Sequence, residues 1–147
     1  MELQPLFEDL RVELVVPKDQ SSPINMRADE RMLRSALLNL MRNAGEAIPI
    51  EKAERSVVVR TSCDTQFAVI EVRDTGTGIP ADRLQKIFIP FFTTKPKGHG
   101  VGLALTYRVI TEHGGTLTAA NAPEGGAVFT IKIPVGNTHA SDDPQAA

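Results

Sequence analysis

Hydrophobic positions recur along this chain with two periods. Spacings of three and four residues are typical of an amphipathic helix, and strict alternation is typical of a strand with one buried face. The helical period predicts helices at 30–48, 81–87 and 101–112. Alternation predicts strands at 11–16, 24–27, 56–63, 67–74, 116–121 and 127–133. Hairpin-linked strands beside three helices indicate an α+β fold, in which one mixed sheet is covered on one face.

Capping residues define the ends of the predicted helices. Asp29 can accept a hydrogen bond from the first turn of the helix at 30–48, and Pro49 cannot continue that helix. Two glycines, Gly114 and Gly115, follow the helix at 101–112 as a C-cap signal. Residues 1–10 are interpreted as a short helical or linking piece.

Composition excludes several classes of protein. With 147 residues, 41% hydrophobic and 23% charged, the chain suits one globular domain. A net charge of −2 does not support binding to nucleic acid or to an acidic membrane surface. No run approaches the ~20 apolar residues of a membrane span and no signal peptide is recognised, so we expect a cytoplasmic location. Cys63 is the single cysteine, which excludes an internal disulfide, and the alternation of its strand predicts a buried thiol.

Two asparagines stand out on the predicted helix at 30–48. Asn39 and Asn43 lie four residues apart, so they share a strip beside the apolar stripe of the helix. An amide without partners beside a core costs about 1–3 kcal/mol, and asparagine is a mediocre helix former. The pair is either a set of satisfied core amides or a ligand site. The carbonyls could bind a hard metal ion, and the NH2 groups could hold phosphate oxygens.

A second candidate site is the run Asp74-Thr75-Gly76-Thr77-Gly78-Ile79-Pro80. Asp74 has the same phase as the core-facing residues of its strand, so its carboxylate needs a partner, and an adenine amino group is a suitable donor. The glycines would let the backbone approach a flat ring. Alone, the run also fits a plain turn or a calcium-binding loop, although the later ligands of an EF-hand are missing.

A third candidate site consists of Phe88-Ile89-Pro90-Phe91-Phe92-Thr93-Thr94-Lys95 and Gly98-His99-Gly100-Val101-Gly102-Leu103. Three glycines at alternate positions before a helix can form a nest of N–H groups that faces an anion, and Lys95 could reach a terminal phosphate. A tight strand-to-helix joint is the alternative. The sequence excludes a P-loop and the dinucleotide-binding fingerprint. We expect residues of about 90–100 to form a mobile lid.

In this order and spacing, the three runs resemble four boxes of the ATP-binding catalytic domain of sensor histidine kinases, a relative of gyrase B, Hsp90 and MutL. Asn39-Leu40-x-x-Asn43-Ala44-x-x-Ala47 is similar to the N box, and Asp74-x-Gly76-x-Gly78-Ile79-Pro80 to the G1 box. Phe88-x-Pro90-Phe91-Phe92-Thr93-Thr94-Lys95 is similar to the F box, and Gly98-x-Gly100-x-Gly102-Leu103 to the G2 box. The F box separates the histidine-kinase branch from gyrase and Hsp90.

The resemblance implies a Bergerat fold, which is a two-layer α/β sandwich with a mixed, mostly antiparallel sheet covered by three helices and with ATP under a lid. It implies that Asn43 ligates Mg²⁺ and that Asp74 binds the adenine amino group. The implied catalytic residues are Asn39, Asn43 and Lys95. The implied ATP-binding residues are Asn39, Asn43, Ala47, Asp74, Gly76, Gly78, Ile79, Thr93, Thr94, Lys95, Gly98, Gly100, Val101, Gly102 and Leu103. Three positions depart from the family pattern, namely His99, Val101 and Ala127, the last of which stands where relatives often carry a threonine near adenine.

The same resemblance implies transfer of the γ-phosphate of Mg-ATP to a histidine on a separate dimerisation domain, with a response regulator downstream. No histidine of this chain lies on a long helix beside an acidic residue, as the family's acceptor does. The chain therefore resembles an excised catalytic domain, with a linker remnant at 1–10, the ATP-binding domain at 11–134 and a disordered tail at 135–147. An anti-sigma-factor switch protein, which phosphorylates serine, is the alternative, and the F box argues against it. Intact Asn43 and Asp74 argue against a pseudo-kinase scaffold.

Overall fold

The structure is a computed structural model that describes residues 3–17, 24, 26–89 and 102–135. Its elements are α1 (Gln4–Leu10), β1 (Glu13–Val15), α2 (Glu30–Glu46), β2 (Ser56–Cys63), β3 (Phe67–Asp74), α3 (Gly102–Glu112), β4 (Thr116–Asn121) and β5 (Ala127–Pro134). The predicted strands at 56–63, 67–74 and 116–121 are confirmed without change. β5 ends one residue later than predicted, and β1 is shorter than its predicted span of 11–16.

The five strands form one sheet in the order β1-β2-β3-β5-β4. β1 runs parallel to β2, and the other neighbouring pairs are antiparallel. α2 packs against β2, β3 and α3, which confirms the predicted α+β class with its mixed sheet and three helices. Because β3 is the central strand, its last residue, Asp74, lies in the middle of one end of the sheet.

The core lies between the inward face of the sheet and the apolar stripe of α2. On β3 every second residue is buried, from Ala68 to Asp74, and β5 shows the same alternation. The stripe predicted on the long helix consists of Leu33, Leu37, Leu40, Ala44 and Ile48, and all of these are buried except Leu37, which is half-buried. Burial of each large apolar side chain of this kind contributes about 1.5–3 kcal/mol to folding. The stripe fixes the rotation of α2, and with it the direction in which Asn43 points.

Hydrogen bonds at the helix ends hold α2 in place. Asp29 Oδ1 accepts from the backbone N–H of Met32 at 3.0 Å, which confirms the predicted N-cap. The backbone N–H of Asp29 in turn donates to Nε2 of His113 at 2.9 Å, while Nδ1 of His113 lies 2.7 Å from the Val109 carbonyl. A neutral imidazole with its proton on Nδ1 satisfies both contacts. His113 therefore ties the end of α3 to the start of α2.

The N-terminal helix is packed onto α2 by one aromatic and one arginine. Phe7 is fully buried, and a Cβ at Gly45 would lie 2.9 Å from its ring, so the glycine permits the close approach of α1. The Arg55 guanidinium donates to the carbonyls at the ends of both helices, those of Leu10, Arg11, Ile48 and Pro49. One side chain thus joins the segment at the end of α1 to the segment that follows α2.

The predicted helix at 81–87 is wrong. The structure has successive turns there, in which the Arg83 N–H bonds to the Pro80 carbonyl and the Lys86 N–H to the Arg83 carbonyl. A helix this short needs tertiary packing, because its nucleation cost is large. Most of this segment is exposed and it buries one residue, Ile87. α1, of similar length, also buries one residue, but that residue, Phe7, packs onto Gly45 of α2, and Arg55 bonds to the Leu10 carbonyl at the end of α1. Packing therefore makes α1 the third helix.

Two further predictions are corrected by the structure. The predicted strand at 24–27 is absent from the described residues 24, 26 and 27, which pair with no other strand. A strand without a neighbour leaves its backbone groups unpaired, and the sequence pattern does not reveal whether a neighbour exists. The Cys63 thiol is exposed rather than buried, because the last two residues of β2 are both exposed to solvent. Within the described residues, every helix is too short or too polar to span a bilayer.

Candidate functional site

A cavity of about 230 Å³ opens between the C-terminal half of α2, the segment after β3 and the start of α3. It is lined by Asn43, Ala44, Glu46, Ala47, Asp74, Thr77, Gly78, Ile79, Pro80, Arg83, Ile87, Leu103, Ala127 and Phe129. Six of the predicted site residues meet there, namely Asn43, Ala47, Asp74, Gly78, Ile79 and Leu103. The cavity therefore joins the first two sequence runs with the end of the third.

Asp74 supplies a buried carboxylate to this cavity. Its side chain is 3% exposed, and both of its hydrogen bonds within the described residues end on Oδ1. The donors are the backbone N–H groups of Gly76 at 2.8 Å and Ala127 at 3.2 Å. Burial raises the pKa of Asp74, because the carboxylate has lost water, and the two N–H groups offset part of this rise. Oδ2 is therefore the oxygen that can accept a hydrogen bond from a ligand.

The glycines of the second run fit the backbone around Asp74. A Cβ at Gly76 would lie 3.0 Å from both the Ala47 carbonyl oxygen and Asp74 Oδ1, so Gly76 lets the loop approach the end of α2. Gly78 has a φ of 83°, which favours glycine. At Gly126 a Cβ would lie 2.0 Å from the Asp74 carbonyl oxygen, so the β4–β5 turn packs closely against the end of β3. Gly76 itself supports the cavity without lining it.

Asn43 and Asn39 have different positions relative to the cavity. Asn43 lines it, and its Nδ2 donates to the Asn39 backbone carbonyl at 2.8 Å. Asn39 lies one helical turn earlier, outside the lining residues. Because the Asn43 nitrogen bonds to the helix, its oxygen is the atom suited to a hard cation. The described residues contain no group of three or more His, Cys, Asp or Glu that could hold a metal.

Apolar side chains form the remaining walls. Ile79, Ile87, Leu103 and Phe129 surround a slot beside Asp74. Phe88 stacks on Tyr107 with ring centroids 5.2 Å apart and meets Phe129 edge-on at 6.4 Å, so a second aromatic ring packs against the lining residue Phe129. A slot with apolar walls and one buried acceptor suits a planar base that carries an amino group.

Part of the third run cannot be placed. Thr93, Thr94, Lys95, Gly98, Gly100 and Val101 lie outside the described residues, as does the predicted lid at about 90–100. Gly102 begins α3, and Leu103 reaches the cavity from its first turn. The predicted roles of the G2 box residues before α3 stay predictions.

Residues 28–137 match the family model described as "Histidine kinase-, DNA gyrase B-, and HSP90-like ATPase". The chain belongs to this ATPase family. The resemblance drawn from the four boxes is therefore confirmed. Within this ATPase domain the cavity lies where the N box of α2 and the G1 box after β3 face each other.

Named relatives narrow the branch of the family. The chain is 41% identical over 121 residues to "Sensor histidine kinase ZraS" of Escherichia coli O157:H7, which covers 82% of this chain and 25% of ZraS. The catalytic domain of the histidine kinase ThkA, in a nucleotide-free form, superimposes with a TM-score of 0.80 at 28% identity, covering 91% of this chain and 86% of that one. ThkA in complex with the response regulator TrrA gives a TM-score of 0.75 at 27% identity, with 91% of this chain and 37% of that one covered. The chain spans about a quarter of the length of the curated relative.

The sequence did not single out every residue of this site. Phe129 has the same phase as the buried residues of β5, so alternation could have found it. Arg83 is an exposed charged residue on the rim, a type for which sequence periodicity carries no signal. Glu46, also exposed, shares the helical strip of Asn39 and Asn43, so periodicity does place it near the site. Ala127, noted only as a departure from the family, proves to be a backbone donor to Asp74. A backbone contact of this kind does not depend on the side chain, so the sequence cannot reveal it.

Proposed function

We propose that this ATPase domain binds Mg-ATP in the cavity between α2 and the loop at 75–80, with the adenine amino group on Asp74. The observation that supports this most strongly is the Asp74 carboxylate, which is buried at the cavity with Oδ1 held by two backbone N–H groups. Within the described residues no donor bonds to Oδ2, and a buried acceptor at this place suits an amino group and disfavours a carbonyl. Ala47 and Ile79 would then flank the base.

Asn43 would hold the phosphate end of the nucleotide through Mg²⁺. Mg²⁺ usually keeps several waters and binds one or two protein groups together with substrate phosphates, and a single amide oxygen at the cavity fits that pattern. The metal supplies charge neutralisation for the β- and γ-phosphates. The backbone carbonyl of Asn39 supports Asn43 by accepting the hydrogen bond from Asn43 Nδ2. Thr93, Thr94, Lys95 and the glycines Gly98, Gly100 and Gly102 would complete the phosphate site from the lid side.

The reaction proposed for the bound nucleotide is phosphoryl transfer to histidine. The unprotonated imidazole nitrogen forms a bond to the γ-phosphorus with its lone pair, while the bond from that phosphorus to the bridging oxygen breaks and ADP leaves. The proton on the other ring nitrogen then passes to water. The enzyme contributes positioning and charge stabilisation to such a transfer. The acceptor would lie on a separate dimerisation domain, and a response regulator would receive the phosphate next, as the ThkA–TrrA complex suggests. Because ATP is supplied in the cytoplasm, we place the domain there.

The relatives do not favour the serine-kinase alternative. The named matches are sensor histidine kinases, and none of those cited is an anti-sigma factor. Both functions require the same nucleotide site, so they differ in the acceptor and not in the cavity.

The nucleotide site is tested by calorimetry of the isolated chain. We expect Mg-ATP and Mg-ADP to bind with a Kd in the micromolar-to-millimolar range, roughly −8 to −4 kcal/mol. Mg-GTP, which presents a carbonyl where adenine has its amino group, should bind more weakly. A flat titration with Mg-ATP, with no displacement of a fluorescent ATP analogue, would contradict the proposed function.

A further inference from the structure

The side chain of Asn121 forms hydrogen bonds with the backbone of the loop at 75–80, which forms one wall of the cavity. Asn121 is the last residue of β4, an edge strand of the sheet. Its Oδ1 accepts from the Ile79 N–H at 2.7 Å, and its Nδ2 donates to the Ile79 carbonyl at 2.7 Å. One carboxamide thus makes the reciprocal pair of bonds that a neighbouring strand would make. The two residues are 42 positions apart in the chain.

Gly78 shows how closely the carboxamide approaches this loop. A Cβ at Gly78 would lie 2.7 Å from Asn121 Oδ1, and the residue has a φ of 83°. Both the contact and the dihedral favour glycine. Gly78 of the G1 box therefore leaves room for the Asn121 carboxamide and also adopts the backbone conformation that the turn requires. The loop is held from the β4 side and not only by its own sequence.

The same hairpin end also holds Asp74. Asn121 pairs with Ala127 in the β4–β5 register, and the Ala127 N–H donates to Asp74 Oδ1 at 3.2 Å. Asp74, the polar contact of the proposed base site, and Ile79, its apolar wall, are therefore both hydrogen-bonded to the paired residues Asn121 and Ala127. The distance across the base slot is determined by the β4–β5 hairpin, before any ligand is present.

We propose that Asn121 is a positioning residue for the nucleotide base, which keeps the loop at 75–80 in its binding conformation in the ligand-free domain. This inference rests on the proposed function. Without Asn121 the loop would have to be ordered on binding, and that ordering lowers affinity. The Asn121 bonds lie at an exposed end of the sheet, away from the core, so their loss should affect binding more than folding.

Asn121→Ala tests the proposal in the full 147-residue chain. Loss of two hydrogen bonds of ordinary net strength should weaken Mg-ATP binding by about 5- to 30-fold. The ratio of ATP to GTP affinity should fall, because a loosened slot discriminates less, whereas the dependence of binding on Mg²⁺ concentration should not change. The melting temperature should change little, and the Ile79 amide should exchange faster with solvent in the ligand-free variant.

Two further variants sharpen the test. Asn121→Asp keeps an acceptor for the Ile79 N–H but places a carboxylate oxygen against the Ile79 carbonyl, so it should bind Mg-ATP no better than Asn121→Ala. Thr118→Ala, an exposed change on the same strand, should leave the affinity and the Ile79 amide exchange unchanged.

The positioning role of Asn121 would be overturned if Asn121→Ala bound Mg-ATP with wild-type affinity. It would also be overturned if the Ile79 amide exchanged at the wild-type rate. Either result would leave the proposed function intact. A loss that tracks a lower melting temperature and is equal for ATP and GTP would also overturn it, because Asn121 would then be merely structural. No binding of Mg-ATP by the unmodified chain would contradict the proposed function itself, and the inference with it.

Discussion

Asp74→Asn should lower the affinity for Mg-ATP by about 10- to 100-fold, the effect of losing one charge-assisted hydrogen bond. We expect a loss and not a gain of affinity because two backbone donors fix how the new side chain is oriented. The N–H groups of Gly76 and Ala127 hold Oδ1, so the asparagine carbonyl should take that position and its NH2 group should take the position of Oδ2. The NH2 group would then face the adenine amino group, and two donors repel. GTP should lose less affinity, because guanine presents a carbonyl acceptor at that place.

The same variant should be as stable as the wild type without ligand, or more stable, at neutral pH. Burial raises the pKa of Asp74 above its ordinary value, so the folded state holds the proton more tightly than the unfolded state does. The stability from Asp74 is therefore fully present below the unfolded pKa of 3.8 and is lost as the pH rises through the raised pKa. Thermal unfolding at several pH values should show the advantage of Asp74→Asn growing over that window.

Asp64→Asn is the matched control for this prediction. Asp64 also accepts from two backbone N–H groups, those of Gln66 and Phe67, but it lies in the exposed β2–β3 turn. Those bonds lower the pKa of Asp64, so the sign of its pH dependence is opposite, and its replacement should leave nucleotide affinity unchanged. Equal ATP affinity in Asp74→Asn and wild type would show that Asp74 does not bind the base.

Asn43→Ala should weaken Mg-ATP binding by about ten-fold or more and reduce phosphoryl transfer further, because charge stabilisation matters most in the transition state. The variant removes the amide oxygen at the cavity without unfolding α2, since alanine is a better helix former than asparagine. Binding of adenosine, which carries no phosphate, should change little. Calorimetry of Mg-ATP, metal-free ATP and adenosine separates these contributions.

Ser35→Ala, an exposed change on the same helix, serves as the control for Asn43→Ala. It makes the same helix-favouring replacement far from the cavity and should leave all three affinities unaltered. Loss of adenosine binding in Asn43→Ala would place Asn43 at the base instead of the phosphates. If ATP binding by Asn43→Ala depended on Mg²⁺ as it does in the wild type, Asn43 would not be a ligand of the metal.

Much of this fold could be predicted because its signals are local. Alternation over 67–74 identified β3 and its buried row to the residue, and the position of Asp74 in that row already indicated a buried carboxylate. Asp29 defined the start of α2 because the capping carboxylate and its donor, the Met32 N–H, lie within one turn. The four boxes then identified most of the described cavity lining on α2 and after β3.

The features that the sequence did not predict are those that depend on contacts between residues far apart in the chain. Residues 81–87 contain good helix formers, but the Pro80 and Arg83 carbonyls each accept from residues three and four positions later, and no continuous helical ladder forms. The N-terminal segment forms a helix over Gln4–Leu10 because Phe7 packs on Gly45, which is far away in sequence. Asn121 carries no sequence signal for its bonds to Ile79, since these exist only once β4 lies beside the loop.

The most direct test of this account is incubation with γ-labelled ATP. The chain alone should take up no label, because its own histidines offer no suitable acceptor, and His113 already donates and accepts at the junction of α3 and α2. Addition of a cognate histidine-bearing dimerisation domain should give label on that domain, labile in acid and stable in base, and Asp74→Asn should abolish most of it. Stoichiometric label on His99, His113 or His139 of the isolated chain would contradict the account, as would label on serine of the added partner.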